Sequence, residues 1–542
     1  MYQPDGLKCD SPLEWSTGTG TDVWALFCAC VAGDLPTVQR LFRKDPSLAR
    51  CQFQYRKPIY FAVRENRLDI AEFLLEHDPN PVNPVFSDSL TDIARDRGYD
   101  AMQRLLQKKL SELHGVSAGG ESIADVIRNG DPATVKSLLT SRPELLHAAD
   151  ANGNQPLHWA VMTRRIDVID DLLSRGADIN ARRIDGARPI QLTNGDYQFR
   201  GWREVPQDHP TTAREVLDHL LSKGADCDLC TAAHIGDHAR VTAILNRDPS
   251  LANRAGDYVS YYPCSGTPIR NAAAAGHFDI VRLLLDRGAD PNLPEEGIAP
   301  NGHALYSAAA NGHFEIVKLL LERGANPNAA VESSADALSR VISSGDERML
   351  ELLCSHGAAR SVDLLAYDND LRTAAAVFDA NPQLADDPDA LANAAGQGHE
   401  LFVRLMLRYH PDLPRRVTFP SWLVCAKTRE LNELLFRHGM NPNSRDWLEI
   451  TPLHELAGKG DVDRAAQFLD HGADLQARDD HLCSTPLGWA AKFGQLEMTR
   501  FLLQRGAPVN LADDPPWATA LAWATRRGHT LVAALLRQHG AR

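Results

Sequence analysis

Cys227-x-x-Cys230, followed by His234 and His238, has the residue types and close spacing of a zinc site, where thiolate and imidazole ligands converge on one tetrahedral ion. The surrounding pattern argues against that use. Cys227 stands where a helix-capping residue is expected, and Cys230 three positions on stands where a structural histidine is expected. His234 falls near the end of that helix and His238 begins the next, so four ligands would not meet at one point. The competing reading, small buried thiols, is preferred, and neither a metal nor any other cofactor is expected.

A second constellation lies in three segments at 194–210, 254–266 and 293–303. They hold Tyr197, Phe199, Arg200, Trp202, Arg203, Tyr258, Tyr261 and Tyr262. Aromatic rings interleaved with arginines are the usual make-up of a recognition surface. Trp202, Tyr258, Tyr261, Tyr262 and the nearby Tyr306 would form walls, and Arg200 and Arg270 would hold an anionic group. If the site is catalytic, Asp196, His209 or His303 would serve as acid or base. Against this stands the plainer reading that long loops bury their own aromatics to stay ordered. The sequence contains no GxSxG, phosphate-binding loop, HExxH or dinucleotide fingerprint in a suitable context. Trp447 and Trp517 lie in turns and would either face outward as partner anchors or pack on the neighbouring turn.

The elements that position these residues repeat along the chain. Asp150-Ala151-Asn152-Gly153-Asn154-Gln155-Pro156-Leu157-His158-Trp159-Ala160 opens with a polar turn, and Pro156 sits where a first helical turn needs no N–H. Ile166 to Leu173 has apolar residues spaced for one helix face, and Gly176 is placed to end it. The same order recurs from Thr267-Pro268-Ile269 to Gly288-Ala289-Asp290, from Leu305-Tyr306 to Gly324-Ala325-Asn326, from Thr451-Pro452-Leu453-His454 to Gly472-Ala473-Asp474, and from Thr485-Pro486-Leu487 to Gly506-Ala507. Adjacent copies keep a period of about 33 residues. Weaker copies fill most of the remainder, several closing in Asp-Pro-Ser-Leu-Ala or a variant at Asp45, Asp248 and Asn381.

At these residues the sequence resembles the ankyrin-repeat family. The resemblance implies an all-α solenoid of stacked helix-turn-helix units with finger loops, roughly sixteen repeats, in which first helices line a concave face. It also implies that His158 and His454 hold their own turns by hydrogen bonds. His277, His313, His399 and His529, which follow Gly between the two helices, are read as structural. Arg270 and Tyr306 occupy the fixed histidine position and depart from the family pattern.

The expected organisation is a tail at 1–20, degenerate repeats at 21–114, a flexible connection at 115–121 and the main array at 122–542. The chain has 57 basic and 71 acidic residues, a formal charge of −14, which disfavours nucleic acid and anionic lipid in the absence of a basic block. No stretch is long and apolar enough to span a bilayer. Ten scattered cysteines and a start without a secretory pattern point to the cytoplasm. The leading functional expectation is a non-enzymatic interaction protein that binds a protein or peptide through its concave face and fingers. The alternative is a small-molecule-binding or catalytic pocket built by the middle insertions.

Overall fold

The computed structural model describes the whole chain except residues 14–15, 78–88, 130, 198–201, 204–208, 257–263, 294–302, 332–334 and 418–425, together with the side chains of 196–197, 202–203, 330–331 and 335. Helices dominate, and the strands among the described residues are two-residue pairs. No helix among the described residues is long and apolar enough to cross a membrane. The chain divides into two compact units, one of Gly6–Arg95 with Tyr99–Ala359, the other of Arg360–Arg542 with Met1–Asp5 and Asp96–Gly98.

In the larger unit the repeating element is a short helix, a tight turn and a second helix. Pro156–Met162 leads to Ile166–Ser174, Pro268–Ala274 to Phe278–Asp286, and Ala304–Ala310 to Phe314–Glu322. Proline or a small residue opens the first helix, and Thr267 caps Pro268–Ala274 by accepting the Arg270 N–H. Ala272, Ala273, Ala308 and Ala309 are buried, so successive first helices approach closely. The second helices bury one stripe, Ile280, Val281 and Leu284 in one unit and Ile316, Val317 and Leu320 in the next. These stripes join into a continuous core running from Leu229 to Leu353, as expected where no single pair can bury its own apolar face. Gly288 and Gly324 end their repeats at φ of +86° and +87°, a region costly for other residues.

The Asp-Pro-Ser-Leu-Ala signature forms a 3-10 turn after the second helix. Asp45 and Asp248 accept the N–H of Ser47 and Ser250 at 2.9 and 3.0 Å and start the turns Pro46–Arg50 and Pro249–Asn253. Proline then fits the first turn position.

Three parts differ from the expected organisation. Residues 6–13 and 16–19 do not trail as a tail: Leu7 is fully buried, the Thr17 hydroxyl donates to Ser47 O at 2.7 Å, and Ser16 Oγ accepts from Gln52 N at 2.8 Å. The stretch at 115–121 is an ordered junction, with Ala149 N–H donating to Gly115 O at 2.9 Å and Ser117 N–H to Ala149 O at 3.1 Å. Helix Ala118–Asn129 begins inside it, because Gly119 and Gly120 permit a close approach that larger residues would block. The compact units also part between Ala359 and Arg360 instead of near 115.

The first insertion is entered by a single 3-10 turn, Pro189–Leu192, in place of a first α-helix. Asp196–Tyr197 then pair antiparallel with Trp202–Arg203. The second helix, Ala213–Ser222, starts at a reciprocal cap: Thr212 N–H donates to Glu215 Oε2 at 2.7 Å, and Glu215 N–H to Thr212 Oγ1 at 3.2 Å.

In the smaller unit the same helix pair recurs as Pro452–Lys459 with Val462–Asp470, Pro486–Lys492 with Leu496–Gln504, and Ala520–Arg526 with Thr530–Gln538. Phe468, Leu502 and Leu536 are among its fully buried side chains.

Candidate functional site

The third residue of each first helix is a natural place to look, because its side chain points back at the turn that precedes it. Where it is histidine, both ring nitrogens are used. His158 Nδ1 accepts from Gln155 N at 3.1 Å while Nε2–H donates to Ala181 O at 3.1 Å. His454 repeats this with Thr451 N and Ser484 O, both at 3.1 Å. Each ring is therefore a neutral tie between its own cap and the following turn. Burial pushes His158 down to about 4, and the nearby Arg183 adds to the shift.

In the five units that follow His158, the same helical position holds Gln191, Thr231, Arg270, Tyr306 and Ser339, three residues after the caps Arg188, Asp228, Thr267, His303 and Asp336. The expected register at the cysteines is off by one. Asp228, not Cys227, caps helix Leu229–Ile235, its carboxylate accepting the Thr231 N–H at 2.7 Å. Cys230 is thus the second helical residue, and its Sγ lies 3.4 Å from Gly266 O. Burial raises the Cys227 thiol. No group of three or more His, Cys, Asp or Glu side chains among the described residues is arranged to hold a metal ion.

Arg270 is buried within a polar frame. Its Nε donates to Ser307 Oγ at 3.4 Å and one terminal nitrogen to Ser265 O at 3.2 Å. Asn271 fixes the same loop, donating to Ser265 O at 2.6 Å and accepting the Cys264 N–H at 3.0 Å. Tyr306 is half-buried, and desolvation raises its hydroxyl pKa while Arg340 opposes the rise. His234 is pushed down to about 4 by desolvation, with Arg270, His277 and Arg214 adding to the shift. His303 is buried and shifted down by desolvation against the pull of Asp290, and its Nδ1 has no hydrogen-bond partner among the described residues. Both imidazoles are therefore neutral at pH 7.

His209 Nδ1 accepts from Thr211 N at 3.1 Å, an interaction within its own turn. Arg200, Tyr258, Tyr261 and Tyr262 lie outside the described residues. Asp196, Tyr197 and Trp202 are placed by backbone alone in the short strand pair. Of the residues proposed for the middle site, the structure thus brings Arg270, Tyr306 and His303 onto two consecutive first helices or their caps.

The two turn tryptophans differ from each other. Trp447 is 2% exposed and so is not an outward anchor. The Asp446 carboxylate draws the turn in over it, accepting the N–H of Leu448 at 2.9 Å and of Ile450 at 2.7 Å. Trp517 is half-buried and meets Trp523 edge-on at 6.0 Å between ring centroids, with the Arg97 guanidinium 4.6 Å from its own ring.

One further pair of contacts lies outside the sequence reading, which already gives the histidines after Gly a structural role. Trp159 and Trp489 donate their indole N–H to Asp150 and Asp479 at 3.1 and 2.9 Å, locking a finger to its helix in each unit. The histidines after Gly reach back one repeat: Nε2 of His277, His313, His399 and His529 donates to His234 O, Ala274 O, Tyr367 O and Lys492 O at 3.0 to 3.2 Å. Each covers carbonyls at the end of the preceding first helix, which otherwise lack intrahelical partners. Their fixed spacing after Gly was the available signal.

The family model described as Ankyrin repeats (3 copies) matches residues 90–183, 229–331, 421–513 and 453–542, together more than half of the chain. Among curated relatives, the protein named probable E3 ubiquitin-protein ligase XBOS32, from Oryza sativa subsp. japonica, is 27% identical over 200 residues, which covers 32% of this chain and 39% of the relative. E3 ubiquitin-protein ligase XBAT32 of Arabidopsis thaliana is 26% identical over 204 residues, 32% of this chain and 38% of its own length. The ankyrin repeat and KH domain-containing protein mask-1 of Caenorhabditis elegans is 29% identical over 196 residues, 35% of this chain and 6% of the relative. The chain spans about two fifths or less of the length of these relatives.

Proposed function

We propose that this chain, which belongs to the ankyrin-repeat family, holds a protein or peptide partner on the surface formed by its first helices and inter-repeat turns, without catalysing a reaction. The observation that carries the reading is the run Gln191, Thr231, Arg270, Tyr306 and Ser339. At His158 and His454 the same position is occupied by a ring with both nitrogens engaged. In five consecutive units that residue is replaced by another polar side chain, where the two units after them carry Leu364 and Ala390. Two of the replacements are arginine and tyrosine, side chains enriched at the energetic centre of interfaces. The frame around them is fixed by repeat-to-repeat hydrogen bonds, so little ordering cost is left for binding.

The relatives named as E3 ubiquitin-protein ligases align with about a third of this chain. That likeness supports a shared repeat array and carries no ligase activity over to this chain. The ten cysteines are scattered along the chain without a disulfide-framework spacing, which supports a reducing compartment such as the cytoplasm.

A photo-crosslinking amino acid at position 306 tests the reading, with position 401 as control. Leu401 is 66% exposed on a second helix. Discrete adducts at 306, absent at 401 and lost with Arg270→Ala, are expected; adducts at 401 alone would overturn the reading.

A second reading, a small-molecule pocket in the middle repeats, is favoured by one observation: the neutral, buried imidazole of His303 at the cap of the Tyr306 helix. A ligand found by thermal shift should then stabilise the native chain but neither His303→Ala nor Tyr306→Ala. Equal stabilisation of all three would remove it.

A further inference from the structure

Asp96–Gly98 belongs to the smaller unit although Asp96 and its partner Arg527 stand 431 positions apart in sequence. Two adjacent side chains hold it there. The Asp96 carboxylate, 3% exposed, pairs with Arg527 and lies 3.9 Å from Arg526 Nε. The Arg97 guanidinium donates from Nη2 to His481 O at 2.6 Å and lies 4.6 Å from the Trp517 ring centroid. The receiving groups come from the turns that precede Pro486–Lys492 and Ala520–Arg526 and from the end of the second of these helices.

This socket is fixed from within its own repeats. Asp479 holds the turn that carries His481 O, accepting from Ser484 N at 3.2 Å and from Trp489 Nε1 at 2.9 Å. Arg526 donates to Trp517 O and lies 4.6 Å from the Trp523 ring centroid, and Trp523 meets Trp517 edge-on. A preformed socket leaves little ordering cost for its occupant.

Each half of the socket selects a residue type. Two guanidiniums match a carboxylate, and a carbonyl beside an aromatic face matches a planar guanidinium, which an ammonium does not reproduce. The occupant is thus read as an acidic residue followed directly by arginine. Gly98, next in the chain, is exposed, with open space where a Cβ would stand. Ionic and polar contacts hold the segment, and no apolar side chain anchors it, the make-up of an exchangeable contact within a chain and not of a core.

We propose that this socket docks a segment of a partner protein in which an acidic residue is followed directly by arginine, and that Asp96 and Arg97 occupy it in cis as a stand-in. The proposal rests on the reading of the chain as a partner-binding repeat array and adds the chemistry of the partner and a built-in competitor. A tethered segment acts at a high effective concentration, so a partner enters the native chain only by outcompeting it.

The test uses a fluorescein-labelled peptide of residues 92–101, which carries both side chains, and the full chain with Asp96→Asn and Arg97→Gln, whose own segment no longer fits the socket. Fluorescence anisotropy should show the peptide binding this variant about tenfold or more tighter than the native chain. A peptide carrying the same two substitutions should not bind. Melting curves report whether the variant folds. Arg97→Lys, which keeps the charge and removes the planar fork, is the second comparison and should bind the peptide about threefold or more tighter than the native chain. Equal affinity for native and variant chains, no binding to either variant, or equal binding of the substituted peptide would overturn the proposal. Light scattering that shows native dimers dissociated by the peptide would assign the socket to a second copy and overturn it as well. Adducts at position 306 without peptide binding would overturn this proposal and leave the broader binding reading standing. Peptide binding without those adducts would support the socket and overturn the reading placed on the middle units.

Discussion

Asn292 holds the start of the next repeat's closing turn through Asn326: its Oδ1 accepts the Asn326 N–H at 2.7 Å, while its Nδ2 donates to Gly324 O at 2.9 Å. The larger unit repeats the device. Asn253 bridges to Gly288 and Asp290, and Asn328 to Gly357 and Ala359. In the smaller unit Asn443 bridges to Gly472 and Asp474. In these four rungs one side-chain amide ties the closing turn of a repeat to that of the next.

Asn292→Ala removes both bonds of one rung. Each is worth about 1 kcal/mol net, so a loss of about 1–2 kcal/mol is expected, confined to neighbouring repeats because coupling in such arrays is local. Hydrogen exchange should speed up at the Asn326 amide and leave the amides of the smaller unit unchanged. Uniform acceleration across the chain would contradict a local rung.

The tie made by His158 predicts a pH dependence. Burial, with Arg183 beside it, pushes its pKa down to about 4, whereas in the unfolded chain it titrates near 6.5. Below 6.5 the unfolded state takes a proton that the folded ring refuses, so the contribution is full above about pH 6.5 and declines as pH falls toward 4. His454 is shifted the same way by burial. The loss is on the order of 1 kcal/mol per pH unit for a fully buried ring. Melting curves from pH 7.5 to 5 should be steeper in pH for the native chain than for His158→Gln, and identical slopes would show that the ring does not set the dependence.

The repeat itself was legible because Pro, Gly and the apolar spacing each act locally: Pro268 needs only its own φ, and Gly288 only its own turn. What escaped the sequence depends on which side chains and backbone groups the fold brings together. Trp159 looks like a core residue in sequence, and only the fold shows its N–H on Asp150. The register at Cys227 shifted by one because Asp228 competes as a cap, and aspartate is a strong N-cap. Gly119 and Gly120 read as a flexible stretch, since composition does not show that the Ala149 carbonyl lies against Gly120. At the candidate site, Arg270 and Tyr306 stood out because they break a repeated position.

Gly120→Ala should be severe. A Cβ there would overlap the Ala149 carbonyl, a backbone group that cannot turn aside. The same carbonyl accepts the Ser117 N–H, and Ala149 N–H pairs with Gly115 O, so displacement would break the junction. A loss above about 2 kcal/mol is expected. Gly119→Ala should cost less, because its nearest obstacle is a Leu145 methyl that can rotate. Urea unfolding of both variants gives the comparison, and an equal or reversed order would show that the carbonyl yields.

The two turn tryptophans should contribute unequally to stability. Trp447 is buried, so Trp447→Ala leaves a large cavity and is expected to cost about 3–5 kcal/mol. Trp517 is half-buried, and its ring contributes an edge-on contact to Trp523 and a face to Arg97. Trp517→Ala should cost less, about 1–2 kcal/mol from partial burial and the aromatic pair. Circular dichroism melts of the two variants decide the matter. If Trp517→Ala melts as early as Trp447→Ala, the ring acts as core despite its partial exposure.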